Sequence, residues 1–317
     1  RVLNFKNLDF QERKQFMKHV VSVSLGSVAR NKTINVQIAG EEIIIERIGT
    51  GGDIKKAAGI IQDYDGKVDA FGLGGCDLGM TVNGKYYPLH SVKNIADFAK
   101  KTPLTDGGGL KNTLESKTAF YLEQHLGEWF LQNGRHVLFV NAVSRWGMAK
   151  SFIDDGYTCI YGDFMFSLGI PLPVRSKNGI LLAVSLLLPL VTRMPFRWIY
   201  PVGDTEEKHI GKYGRYYQEA SVIAGDCLYI RQHLPKNMKG KIIVTNTTTE
   251  EDINVFTKCG VSYIVTTTPV FDGRTFGTNV MEAVIHALSG KKTPLPETEL
   301  IQWIEKLKLE PQIRQLN

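Results

Sequence analysis

From Val137 onward the chain repeats one unit, a short apolar run followed by a turn and an amphipathic stretch. "VLFVNAV", "YTCIYGD", "SVIAGD", "KIIVTN" and "VSYIVTTTP" are the apolar runs, and "GMAKSFIDDG", "CLYIRQHL" and "TEEDINVFTKCG" lie among them. Short apolar runs bounded by turn residues read as buried strands, and strands alternating with helices read as parallel strands joined by crossovers. This regularity predicts a doubly wound parallel sheet. In such a sheet ligands sit beyond the carboxyl ends of the strands, so the residues that matter are those just after each apolar run.

The first half is mixed. "INVQIAGEEIIIERIG" is two alternating runs joined at Gly40, a hairpin pattern, and Asn83-Gly84 marks a second tight turn. Helices are expected over "GGDIKKAAGIIQDYDG", with Asp53 as its N-cap, over "SVKNIADFAKK", and from about Leu110 to His125. The predicted class is therefore α/β. An N-terminal mixed α/β domain over residues 1–130 precedes a Rossmann-like doubly wound parallel sheet over 131–291, which carries an insert at about 164–215. A C-terminal helical tail covers 292–317.

Bulk properties exclude several classes. A hydrophobic content of 43% with 22% charged residues excludes a disordered chain. The net charge of +6 is spread along the sequence without a basic stripe, which argues against nucleic acid as a partner and for a small-molecule substrate. The four cysteines show no CxxC pair and the seven histidines no HxH or HExxH, so no metal is expected. This cysteine usage points to a reducing, cytoplasmic compartment, and to no signal peptide ahead of Arg1. The run "GILLAVSLLLPLV" is too short to span a bilayer and contains Pro189. Residues 179–200 are expected to fold against the protein and wall one side of the cleft. The adjoining "TRMPFRWIYP" keeps contact with a membrane open as the alternative, and homo-oligomerisation is likewise left open.

Within the repeat, "VLFVNAVSRWGMAKSFIDDGYTCIYGD" has the strand-turn-helix-strand layout of a dinucleotide unit. Aligned to G-x-G-x-x-G it reads Ala142, Ser144 and Gly147. Ser144 and Arg145 replace glycine backbone with a hydroxyl and a cation that bind phosphate. Asp163, at the next strand end, is placed for a ribose diol and favours NAD over NADP. Thr266, Thr267 and Thr268 follow a later strand and are candidates for the nicotinamide ribose. In the first domain, "TDGGGLKNT" brings Asp106 and Lys111 together as an acid–base pair, with Asn112 and Thr113 in the first helical turn. Arg30 and Asn31 after the first strand, and Arg274 and Asn279 near the end, are candidates for substrate binding.

The segments "SLGSVARNKT", "GLGGCDLGM", "DGGGLKNTLE", "FVNAVSRWGMA", "PFRWIYP", "VTNTTTEED" and "TTTPVFDGRTFGTNVMEA" resemble a bacterial family commonly labelled quinate 5-dehydrogenase. That resemblance implies the layout of shikimate and quinate dehydrogenases, a substrate domain followed by a nicotinamide-binding domain. Those enzymes carry a G-A-G-G-A turn and a motif with a catalytic lysine that do not stand in this sequence, so their catalytic residues are not carried over. The expected function is an NAD(P)-dependent oxidoreductase passing a hydride to or from a small polar substrate such as quinate in an interdomain cleft. The alternatives are a reductase of a long-chain or lipid-borne substrate and a non-catalytic nucleotide-binding sensor or scaffold.

Overall fold

The computed structural model describes residues 17–200, 209–268, 270, 271 and 274–317. Two mixed α/β lobes are each built on a largely parallel sheet. The first sheet has the order β2-β3-β1-β4-β7, from strands β1 (Lys18–Ser24), β2 (Lys32–Ile38), β3 (Glu41–Gly49), β4 (Ala70–Gly74) and β7 (Leu104–Thr105). All pairings are parallel except β2 with β3. The β2–β3 turn places Ala39 at φ 53° and Gly40 at φ 85°, and the turn between β5 (Gly79–Val82) and β6 (Lys85–Pro88) places Asn83 at φ 49° and Gly84 at φ 78°. Two successive left-handed residues give the backbone twist that a two-residue hairpin needs.

Period-two alternation decides what covers this sheet. Val21, Val23, Phe71 and Leu73 pack on Ala57 and Ile61 of helix Ile54–Tyr64 and on Val92 and Ile95 of helix His90–Ala96. Val20, Ile43, Ile45 and Ala70 face the other way, onto Val280, Ala283, Val284 and Ala287 of helix Thr278–Ser289. That helix was expected in the second domain. It lies on the first sheet because its small residues fit against β1 and β4.

The second sheet has the order β9-β8-β10-β11-β12-β15, from β8 (His136–Phe139), β9 (Thr158–Tyr161), β10 (Val222–Ala224), β11 (Ile242–Thr245), β12 (Tyr263–Thr266) and β15 (Gln312–Gln315). The first five are parallel and β15 closes the edge antiparallel to β12. In chain order this is 2-1-3-4-5 with one antiparallel addition. The doubly wound parallel sheet stands, but its order is the flavodoxin-like one rather than the dinucleotide order 3-2-1-4-5-6. After β9 the chain adds no further strand on that side among the described residues, only the isolated antiparallel bridge of Val174 with Tyr161. It forms the short helix Asp163–Phe166 and the apolar helix Lys177–Val191, then crosses to β10.

The connections between lobes differ from the expected domain plan. The long helix expected over Leu110–His125 is broken into helix Gly108–Thr113, a 3-10 turn Glu115–Lys117 and helix Thr118–Asn133. Thr118 closes the break by donating to the Glu115 carbonyl at 2.7 Å. The chain passes from lobe one to lobe two here, returns to lobe one between β12 and helix Thr278–Ser289, and re-enters lobe two at β15. The tail is thus helix Glu297–Lys306 followed by a strand, and the lobes are joined by three passes of chain.

Candidate functional site between the lobes

A cavity of about 270 Å³ lies between the lobes at the carboxyl ends of both sheets. Lobe one contributes Gly74 at the end of β4, Gly75, Cys76 and Asp77 just after it, Asp106 after β7, and Lys111. Lobe two contributes Asn141, Ser144 and Arg145 after β8, Asp163 after β9, Asp226 after β10 and Asn246 after β11. Apart from Gly74, which ends β4, and Lys111, in helix Gly108–Thr113, these positions follow strand ends, where a ligand meets loop residues held by rigid strands. Asn279 closes the floor. Its side chain donates to the Ser22 hydroxyl at 3.0 Å, and it lies so near β4 that a Cβ on Gly72 would meet its carbonyl oxygen at 2.8 Å.

Two ionic networks shape the polar side. In lobe one, Lys111 pairs with Asp77, whose other oxygen accepts from the Tyr200 hydroxyl at 2.8 Å. Burial opposes the charge on Lys111, but Asp77 and, more weakly, Asp106 outweigh it and hold the ammonium above its ordinary range. Burial and the neighbouring Asp77 carboxylate keep Tyr200 a neutral phenol. Asp106 is not bonded to Lys111. Its oxygens accept from the backbone N–H of Leu78 at 2.5 Å and of Gly108 at 2.9 Å. Burial raises its carboxyl against the pull of Lys111.

In lobe two, Arg145 is almost wholly buried and pairs with Glu115 and, at 3.1 Å, with Asp226. Glu115 also accepts from the Thr267 hydroxyl at 3.2 Å. Asp226 caps helix Cys227–Gln232 through the Leu228 N–H, and its own N–H donates to Asn141 at 2.8 Å. The opposite wall is apolar. Helix Lys177–Val191 turns Ile180, Ala183, Val184, Leu187, Leu188 and Val191 toward the cavity.

The structure brings Asp106, Lys111, Ser144, Arg145, Asp163 and Asn279 to this one cavity, but not in the expected roles. Arg145 is spent on Glu115 and Asp226 and is not available to a phosphate. Asp163 accepts from the Val143 N–H at 2.9 Å and so ties down the turn it was expected to face across a cofactor. Burial pushes its carboxyl up to about 6. Ala142 is fully buried. Gly147 has a packing purpose, since a Cβ there would lie 2.0 Å from the Lys111 carbonyl oxygen and 2.9 Å from Asn112 Cα. Lobe one therefore rests against the start of helix Trp146–Asp154, where a pyrophosphate would need room. These residues do not fit a dinucleotide.

Thr266, Thr267 and Thr268 are buried off the cavity, with Thr268 donating to the Asn246 carbonyl at 2.8 Å. Thr113 bonds back to the Gly109 carbonyl at 2.8 Å, and Asn112 lines a neighbouring cavity beside Trp146. Arg30 is exposed at the end of a 3-10 turn and does not line the cavity, and Asn31 accepts from the Gly49 N–H at 2.6 Å. The Arg274 side chain lies outside the described residues. Asp226, Asn141, Asn246, Glu115 and Tyr200 are site residues that motif reasoning missed. The first three stand just beyond apolar runs, a signal open to a reader who weighs every strand end equally.

Fold and cavity define a two-lobe α/β protein with an interlobe cleft. The chain belongs to the family described as Domain of unknown function (DUF8754), whose model matches residues 109–316, while a second, Domain of unknown function (DUF8753), matches residues 19–106. No curated protein matches the chain. Similar solved structures include a glucose-galactose binding protein from Geobacillus stearothermophilus, at 10% identity and TM-score 0.40, covering 94% of this chain and 97% of that one. Another is an ABC transporter solute binding protein from Bacillus halodurans C-125 with bound myo-inositol, at 11% identity and TM-score 0.38, covering 92% and 99%. A third is the periplasmic binding protein component of the arabinose ABC transporter from Shewanella sp. ANA-3, at 12% and 0.36, covering 88% of each. The expected membership of the quinate 5-dehydrogenase family is therefore corrected. The matching family models are both of unknown function, and neither is a shikimate or quinate dehydrogenase family. The expected oxidoreductase assignment is corrected as well, because Arg145, Asp163 and Gly147 are taken up by contacts within the protein.

Proposed function

We propose that this is a two-lobe binding protein whose interlobe cleft takes a small amphipathic molecule with a hydroxyl-rich end. The observation that carries the reading is the two-sided chemistry of one cavity. Its polar side presents four carboxylates, Asp77, Asp106, Asp163 and Asp226, against two cations, Lys111 and Arg145. Such a surface accepts hydrogen bonds more readily than it donates them, which favours a ligand offering hydroxyl groups. The helix Lys177–Val191 provides an apolar wall on which an alkyl or ring body loses contact with water.

Melting curves with octyl glucoside below its micelle concentration, with glucose and with octanol test this. The amphiphile is expected to raise the melting temperature by several degrees, and each half alone by less, because only the whole molecule engages both walls. Ala183→Trp fills the cavity from the apolar side and should abolish the shift. A shift that survives Ala183→Trp, or no shift with any of the three, would overturn the reading.

A further inference from the structure

Helix Lys177–Val191 has two apolar faces. One lines the cavity. The other carries Leu182, Leu186 and Leu190, one turn apart and 61%, 63% and 62% exposed. Trp198, in the short helix that follows, is 72% exposed. The segment before the helix adds exposed Leu168, Ile170 and Leu172. Leu168 and Leu187 both line the cavity and both stand open to solvent, so the mouth of the cavity lies on this greasy surface. Exposed patches of this kind mark interaction sites.

Charge says what covers it. From Phe164 to Tyr200 the sequence contains no Asp or Glu and carries Lys177, Arg193 and Arg197, besides Arg175, which pairs with Glu219. An apolar stripe with an aromatic side chain at its end, set in a segment of one positive sign, complements an anionic lipid surface. The helix has 15 residues and contains Pro189. At 1.5 Å per residue it reaches roughly 22 Å, short of a hydrocarbon core of about 30 Å. No described helix is long and apolar enough to cross a membrane.

We propose that this face docks on an anionic bilayer, with Leu182, Leu186, Leu190 and Trp198 seated among the headgroups and the cavity mouth opening toward the lipid. The inference stands apart from what the cleft binds, since the outer face needs no cleft ligand. Co-sedimentation of the full chain with phosphatidylcholine vesicles, with and without phosphatidylglycerol, tests it, alongside sedimentation velocity without lipid. Wild-type protein should partition onto the phosphatidylglycerol vesicles, and Leu182→Glu and Leu186→Glu should each weaken this by roughly tenfold or more. Both positions are solvent-exposed, so both variants should keep the wild-type circular dichroism. Absence of wild-type binding would overturn the proposal. So would binding that both glutamate variants retain, which would place the attraction elsewhere on the basic surface. A dimer in solution that Leu186→Glu dissociates would assign the face to a second copy of the chain instead.

Discussion

Glu282 shows how far a single residue depends on its surroundings. It sits in helix Thr278–Ser289, accepting from the Thr105 hydroxyl and from the Leu110 N–H at 2.8 Å. Burial pushes its carboxyl up from 4.5 to about 7. The folded form therefore keeps a proton that the unfolded chain has already released. Its contribution to stability is fully present below about pH 4.5 and is lost as the pH rises through about 7, a loss of up to roughly 3 kcal/mol. Glu282→Gln preserves the shape and removes the titration. Melting temperatures at pH 5 and pH 8 should differ less for the variant than for the parent, and an unchanged difference would count against this account. Nothing in "NVMEAVIHALSG" marks this glutamate as buried, because its acceptors are used by residues more than 170 positions earlier. Arg145 was misread for the same reason. Its charge was legible, but its partners Glu115 and Asp226 lie 30 and 81 positions away. Gly147 was legible as a glycine that must be one. What it accommodates, the Lys111 carbonyl, belongs to the other lobe.

Elements were legible where local chemistry determined them. Both hairpins carried their turn residues, the Asp53 cap bonds the Lys56 N–H at 3.0 Å, and Thr249 forms a capping box with Asp252. The final strand had no such signal. "QIRQ" is polar and mostly exposed, and its purpose is to occupy the hydrogen-bonding edge of β12 rather than to fill a core. Leu309, just before it, is buried and anchors the return. Removing residues 309–317 should bare the β12 edge, and an unpaired edge of apolar strand pairs with other chains. Light scattering should show the truncated protein self-associating at concentrations where the parent is unchanged. A truncated chain that remains dispersed and fully folded would mean that β15 does not protect the sheet.

At the scale of the molecule, the two sheets were visible in the sequence and their assembly was not. Neighbouring elements usually pack together, so helix Thr278–Ser289 was assigned to the strands just before it. The structure sends it across to Val20, Ile43, Ile45 and Ala70 instead. No local pattern encodes such a crossing, since the same apolar stripe fits either sheet until shape decides. Lobe one is consequently not a contiguous piece of chain. A fragment ending at Thr113 contains every strand of the first sheet but leaves one face uncovered. It is expected to be insoluble or molten by circular dichroism and dye binding. A monodisperse, cooperatively melting fragment would show that the late helix is dispensable.

The same crossing sets a schedule for biosynthesis. The first sheet has left the ribosome once Thr105 has emerged, but Thr278 follows more than 170 residues later. At about 5–20 residues per second, one face of that sheet waits roughly 10–35 seconds for its cover. During that interval a nascent chain displays a β-branched surface to its surroundings and to neighbouring polysomes. The yield of this protein in a cell should therefore track translation speed through the middle of the message and the supply of ribosome-associated chaperones, more than the stability of the finished fold.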